Sequence, residues 1–291
     1  MSLFTRRPVP QCVLRRGHAP RAEHGHDAAR FVEMGSLTKV LTGTALVRMA
    51  RVGLVAIDDP VRRWLPEAPE TGITLNHLME HTSGLPRLPP GRYGPRKDPY
   101  ADFTPDRLRS IVRRLDAIAE RPAGKQQQYS NFGYAVLGAA LEKAAGQPYA
   151  ELVSEHVLHP LGVAAEVVQS PPAGARLCAR GRFGGERSAW TASGAILPAG
   201  GMWATPRALA ELVTGLLVDR KLGDPAAAWQ TADRLRWHNG ATRDASVFAG
   251  AFDDTGDWVV VHRLGGKPAT TDHLGIDLLA RGRRGQDGVQ D

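Results

Sequence analysis

From Ser36 to Val52 the positions Leu37, Val40, Leu41, Thr44, Ala45, Val47 and Met49 recur at three- and four-residue spacing, which predicts a helix with one broad buried face. Gly53 stands where the pattern stops, and Asp58-Asp59-Pro60 opens a turn. A short helix is expected over Thr74–Glu80, capped by Thr74 and closed by the glycine of His81-Thr82-Ser83-Gly84. Thr104-Pro105 starts another that runs to Leu115. Further helices are predicted over Asn131–Ala145, ended by Gly146, over Tyr149–Leu158, and over Arg207–Val218 behind Thr205-Pro206. Residues 85–103 are dense in Pro and Gly and read as a long surface loop of the kind that borders binding sites. The period then shifts towards strands. Ser246–Phe252 and Trp258–Leu264 are apolar or alternating around a turn at Asp253–Asp257, and Gln11–Arg15 is a short strand near the start. An amphipathic helix over Asp272–Leu279 follows.

Helices in the middle and strands near both ends describe an α/β layer whose sheet is closed by distant parts of the chain. One domain is expected, with residues 1–50 and 195–291 in the α/β part and residues 51–194 in a mainly helical part. Residues 1–29 are rich in Arg, His and Pro and, apart from the strand-like Gln11–Arg15, are expected to be disordered or truncated. The cluster His18, His24 and His26 belongs to that tail, which makes disorder a better account of it than ligation.

Composition changes this picture little. At 291 residues, 42% apolar and 23% charged, the chain is an ordinary globular sequence. A formal charge of +7 raises the question of an acidic partner. The arginines are scattered, no block of five like charges occurs, and no helix-turn-helix, zinc-finger or RNP signature is present, so no nucleic-acid partner is expected. Cys12 and Cys178 are far apart and neither belongs to a C-x-x-C pair, which argues against a disulfide framework and against thiolate metal sites. Residues 1–16 hold no apolar signal core and no 18-residue apolar run occurs, so no membrane span is expected, and a cytoplasmic location is expected for the chain as written.

Three short stretches carry candidate chemistry. In Gly35-Ser36-Leu37-Thr38-Lys39, a Ser at a helix start meets free backbone N–H groups that suit a developing oxyanion. Lys39, three residues on, lies on the same face, and desolvation would make it a base for the Ser36 proton. The plain reading is an N-cap serine beside a solvated lysine, although no other Ser in the chain has Lys at i+3. Tyr129-Ser130-Asn131 offers a proton relay in Tyr129, and in Asn131 a partner for a substrate carbonyl or for the Lys39 ammonium. Its plain reading is a half-buried Tyr with a capping Asn. Trp237-His238-Asn239-Gly240-Ala241 precedes a hairpin; small Gly240 lets substrate lie along the backbone, and the Ala241 N–H completes an oxyanion hole with that of Ser36. Its plain reading is an Asn-Gly turn. A rival sits at His77-Leu78-Met79-Glu80-His81, which spells H-x-x-E-H, a zinc-peptidase pattern with Glu80 as base.

Taken in this order, Ser36-x-x-Lys39, Tyr129-x-Asn131 and His238-x-Gly240 make the sequence resemble the serine β-lactamase family, closest to its class C and esterase-like branch, which shares its fold with penicillin-binding proteins. Asp58-Asp59-Pro60-Val61, the stretch Ile73–Pro86 and Gly200-Gly201 before Thr205-Pro206 match as well, and the resemblance runs from Phe31 to Leu279. It implies a mainly antiparallel sheet flanked by helices beside an all-α region, with the site in the cleft between. It also implies Ser36 as nucleophile, Lys39 as base, Tyr129 as relay, and His238 and Gly240 facing substrate, with no cofactor or metal. That family places two strands before its nucleophile, whereas only 35 residues precede Ser36, which predicts a reduced sheet. Relatives that hydrolyse lactams usually carry Lys where His238 stands. A largely neutral imidazole favours a small ester or amide, handled by an esterase or acyltransferase, over the carboxylate-bearing substrate of a β-lactamase or D-Ala-D-Ala peptidase. A relative that only binds its ligand is the remaining alternative.

Overall fold

The computed structural model describes residues 8–181 and 183–287. Its strands are β1 (Gln11–Arg15), β2 (Arg21–Glu23), β3 (Val32–Glu33), β4 (Val167–Val168), β5 (Trp203–Ala204), β6 (Gln230–Ala232), β7 (Leu235–Ala241), β8 (Ala245–Phe252) and β9 (Trp258–Leu264). The helices are α1 (Thr38–Arg51), α2 (Val61–Trp64), α3 (Leu75–Met79), α4 (Pro105–Val112), α5 (Leu115–Ile118), α6 (Asn131–Ala145), α7 (Tyr149–Val153), α8 (His159–Leu161), α9 (Leu197–Gly200), α10 (Pro206–Val213) and α11 (Pro268–Asp287).

The main sheet runs β2-β1-β9-β8-β7-β6 with every neighbouring pair antiparallel, so the start of the chain lies beside its last strand. Strand alternation divides its side chains between two cores. Val13, Phe248, Val259 and Val261 pack with Leu279 of α11, whereas Cys12, Leu14, Val247, Ala249 and Val260 join the larger core built around α1 and α6. Burial on both faces explains why β8 and β9 read as continuous apolar runs. β3, β5 and β4 form a separate small sheet at the entrance to the Ser36 turn.

Three expectations need correction. Residues 8–29 are not a loose tail: they supply β1 and β2, the two strands a reduced sheet would lack. Residues 1–7 lie outside the described residues. His26 is buried, with its ring 2.9 Å from that of His262, while His18 and His24 are exposed. Trp237–Ala241 is no turn before a hairpin. It lies within β7, where Asn239 pairs with Phe248 and Gly240 with Val247, because the continuous pairing with β8 overrides the turn preference of Asn-Gly. The last helix begins at Pro268 and continues past Leu279, where its polar residues gave no apolar period. No described helix is long and apolar enough to cross a membrane.

The His26–His262 contact is a neutral pair with assignable tautomers. The Asp27 N–H donates to His26 Nδ1 at 2.8 Å, so His26 carries its proton on Nε2 and donates it to His262 Nδ1. A second proton on His26 would break the Asp27 bond inside the core. Burial accordingly pushes His26 down to about 4 and His262 well below 6.5. Both pKa values are lower in the folded than in the unfolded chain, so the unfolded state binds more protons below pH 6.5. The contribution to stability is whole above that pH and is lost as pH falls towards 4, at about 1.4 kcal/mol per pH unit for each proton. His81 and His238, both pushed down to about 3 by burial, act in the same direction. Urea midpoints should therefore fall between about pH 6.5 and about pH 5, and His26→Gln should remove about one proton's share of that slope. A slope unchanged by the substitution would show that the pair does not set the acid limit.

Candidate active site

Ser36 lies in a single tight helical turn, Gly35–Leu37, ahead of α1, and its hydroxyl caps no helix. Tyr129 Oη donates to Ser36 Oγ at 2.7 Å, and Lys39 Nζ stands 3.2 Å from the same oxygen. Lys39 is fully buried, and its Nζ also donates to the Ala199 carbonyl at 2.5 Å. Its ammonium position lies 4.9 Å from the centre of the Tyr129 ring and 5.5 Å from that of Tyr134. The capped serine and solvated lysine of the plain reading are both absent here.

The electrostatics separate the two groups touching Ser36. Burial, helped by the charge of Arg87, holds Lys39 well below its usual 10.5. Burial pushes Tyr129 up to about 12 despite its bond to Ser36. Near neutral pH, then, Tyr129 is a hydroxyl that donates, and the amine has the depressed basicity of a proton acceptor.

The backbone around this triad is brought close by glycines. A Cβ on Gly240 would lie 2.1 Å from the Met34 carbonyl oxygen and 3.0 Å from Leu37 N, so the bare strand lies directly against the Ser36 turn. Gly35 has φ of +49°, and a Cβ there would lie 2.9 Å from Ala241 N. These approaches bring Ala241 next to Ser36, as an oxyanion hole made of their N–H groups requires.

Asn131 is the first residue of α6 and lines the cleft. Ser130 is the cap, accepting from Gly133 N at 2.8 Å and donating to the Pro86 carbonyl at 2.7 Å. Asn131 hydrogen bonds to Tyr100, while its Oδ1 is buried without a partner among the described residues. His238 behaves differently from the expectation of a substrate-facing side chain. It is 1% exposed and does not line the cleft, and its Nδ1–H donates to the Asn239 carbonyl at 2.6 Å. Burial and the nearby Lys39 hold it neutral, down to about 3. Asn239, Gly240 and Ala241 line the cleft instead.

Reasoning from motifs missed three residues. His81, which the zinc reading claimed, accepts Ser130 N–H on Nδ1 at 3.1 Å and packs 4.5 Å from the Tyr129 ring centre. It follows the end of α3 with φ of +62°, so it does not sit one turn beyond His77 on a common face, and His77 Nδ1 takes the Thr74 N–H in a capping box. The pair is thus accounted for by local structure, and no cluster of three or more metal-binding side chains occurs among the described residues. Glu33 accepts from Thr242 Oγ1 at 3.0 Å, one residue past Ala241, and burial pushes it up to about 7. Arg87 stands with its guanidinium carbon 5.0 Å from the Tyr129 ring centre. The position of His81 in the His-Thr-Ser-Gly landmark was a usable signal; Glu33 and Arg87 had none.

The model of the Beta-lactamase family matches residues 13–283. Among curated proteins, the chain is 35% identical over 138 residues to the D-alanyl-D-alanine-carboxypeptidase/endopeptidase AmpH of Escherichia coli K12, covering 45% of this chain and 35% of that protein. It is 36% identical over 143 residues to Esterase EstB of Burkholderia gladioli, covering 45% and 36%. The matched stretch therefore spans about a third of these relatives' own length. Among solved structures, a β-lactamase/D-alanine carboxypeptidase from Yersinia pestis superposes with a TM-score of 0.75 at 22% identity, over 94% of this chain and 92% of that one. An octameric penicillin-binding protein homologue from Pyrococcus abyssi gives 0.77 at 18%, over 94% and 73%.

The close approach of β7 to the Ser36 turn makes a sharp prediction. In Gly240→Ala the new methyl meets the Met34 carbonyl, and β7 must move away from Ser36. A displacement near 1 Å should lower kcat/KM for an acylating substrate roughly 100-fold. An alanine variant with full activity would show that this contact does not position the site.

Proposed function

This chain belongs to the Beta-lactamase family, and from that premise we propose that the protein is a serine hydrolase that forms an acyl-enzyme on Ser36. The observation that carries the proposal is the convergence of a buried lysine and a neutral tyrosine on one serine oxygen. A protein that merely binds its ligand has no need to bury an amine against that hydroxyl at the desolvation cost this carries.

The chemistry follows from the pKa order. Neutral Lys39 takes the proton of Ser36 as Oγ attacks the acyl carbon, and the Ser36 and Ala241 N–H groups hold the oxyanion. Tyr129 gives its proton to the departing alcohol or amine, and the proton that Lys39 took from Ser36 then passes to Tyr129, restoring both groups. The bond to the leaving group breaks as the acyl–Oγ bond forms. Water then attacks the ester on Ser36 by the same proton path, releasing the acid and restoring the hydroxyl. A small amide joins a small ester as candidate substrate, because Tyr129 can protonate either leaving group. The esterase and D-alanyl-D-alanine-carboxypeptidase relatives support this range of leaving groups.

Two substitutions test the assignment. Ser36→Ala should abolish turnover and fluorophosphonate labelling while preserving the unfolding midpoint, and labelling that survives would sink it. Lys39→Arg should also be inactive, since a guanidinium keeps its proton at any working pH. Near-normal rates in that variant would remove Lys39 from the mechanism.

A further inference from the structure

The cleft in front of Ser36, about 1030 Å³ in volume, carries side-chain charge of one sign. Arg87, Arg92 and Arg96, all from the loop 85–103, line it, and no Asp or Glu does. None of these guanidiniums makes an ion pair or a hydrogen bond among the described residues. Elsewhere Arg63, Arg109, Arg187 and Arg236 each hold a carboxylate. Three unpaired cations along one concave wall focus their field into the cleft.

Arg87 is also held in place. Its carbonyl accepts the Asn131 N–H at 2.9 Å, which ties the loop to the start of α6. Its guanidinium lies against the ring of Tyr129, whose hydroxyl touches Ser36 Oγ. A planar guanidinium so fixed presents its free N–H groups in the fork that fits a carboxylate. Around Asn239 the sign reverses, because Asn239 Nδ2 donates to Asp272 Oδ2 at 3.0 Å and an acid therefore stands behind that wall.

Resting on the serine-hydrolase reading, we propose that the acyl substrate carries a carboxylate seated on Arg87, with Arg92 and Arg96 completing the cradle, and that the part of it lying against Asn239 carries no negative charge. The charge that reads the substrate thus comes from the loop after α3, since the imidazole of His238 is buried and does not line the cleft. This replaces the preference for uncharged esters drawn from His238 in the sequence.

Binding separates this proposal from the catalytic one, because it needs no turnover. In Ser36→Ala protein, calorimetry compares the phenyl monoester of glutaric acid with the same ester methylated on its free carboxyl. The monoester should bind about tenfold more tightly at about 0.05 M salt, with the gap shrinking at about 0.5 M. Arg87→Gln in the same background should reduce the gap to about threefold or less. All three arginines are exposed, so their substitution leaves the core untouched, and an unchanged unfolding midpoint checks this. Equal or weaker binding of the monoester overturns the proposal, as does a gap that survives Arg87→Gln, Arg92→Gln and Arg96→Gln together. A wild-type protein whose Ser36 takes no fluorophosphonate label would instead overturn the hydrolase reading and leave the binding comparison standing.

Discussion

Burial of the Lys39 amine is the constraint around which the rest of the site is arranged. An ammonium with no carboxylate beside it costs several kcal/mol to bring out of water, so the folded protein favours the neutral form. What surrounds Nζ makes that tolerable: the Ala199 carbonyl, the Ser36 hydroxyl and the rings of Tyr129 and Tyr134. The placing of α9, which brings Ala199 to Nζ, depends in turn on Thr42, whose hydroxyl donates to the Pro198 carbonyl at 2.7 Å and meets Tyr149 Oη at 2.7 Å. A chain of contacts through α1, α7 and α9 thus fixes one amine.

The same constraint shapes the neighbouring titratable groups. The two imidazoles nearby, His81 and His238, are held neutral chiefly by burial, so neither adds a buried cation beside the Lys39 amine. Arg87 is the tolerated exception because it stays in solvent above the Tyr129 ring, where water screens it. The site therefore keeps its neutral groups inside and its fixed cations at the mouth, an order that suits proton transfer at Ser36 and anion recognition at the entrance.

Much of this was legible in the sequence. Apolar spacing located α1, α6, β8 and β9, and Thr-Pro pairs marked the starts of α4 and α10. Ser36 and Lys39 could be placed together because three residues on a helix fix their relative position whatever the fold. Gln11–Arg15 was legible as a strand, but β2 was missed because it is largely exposed and three residues long, so it has no apolar pattern; its register comes from β1. His238 was placed wrongly for a related reason. A motif gives order along the chain, but which side chains of a strand meet solvent depends on what packs against each face.

By itself the sequence determined the family and the helix and strand types over most of the core, and it singled out the candidate serine, lysine and tyrosine. Those are local properties, carried by period, caps and short spacings. Only the tertiary structure decided that the three groups meet, since Tyr129 lies 93 positions from Ser36 yet bonds to it at 2.7 Å. It likewise decided which residues of β7 line the cleft, that His26 and His262 form one buried pair 236 positions apart, and that the arginines of a Pro-rich loop line the cleft in front of Ser36. Each depends on desolvation and on contacts distant in sequence, and a pKa or a field is set by the surroundings of a residue, which a linear pattern does not contain.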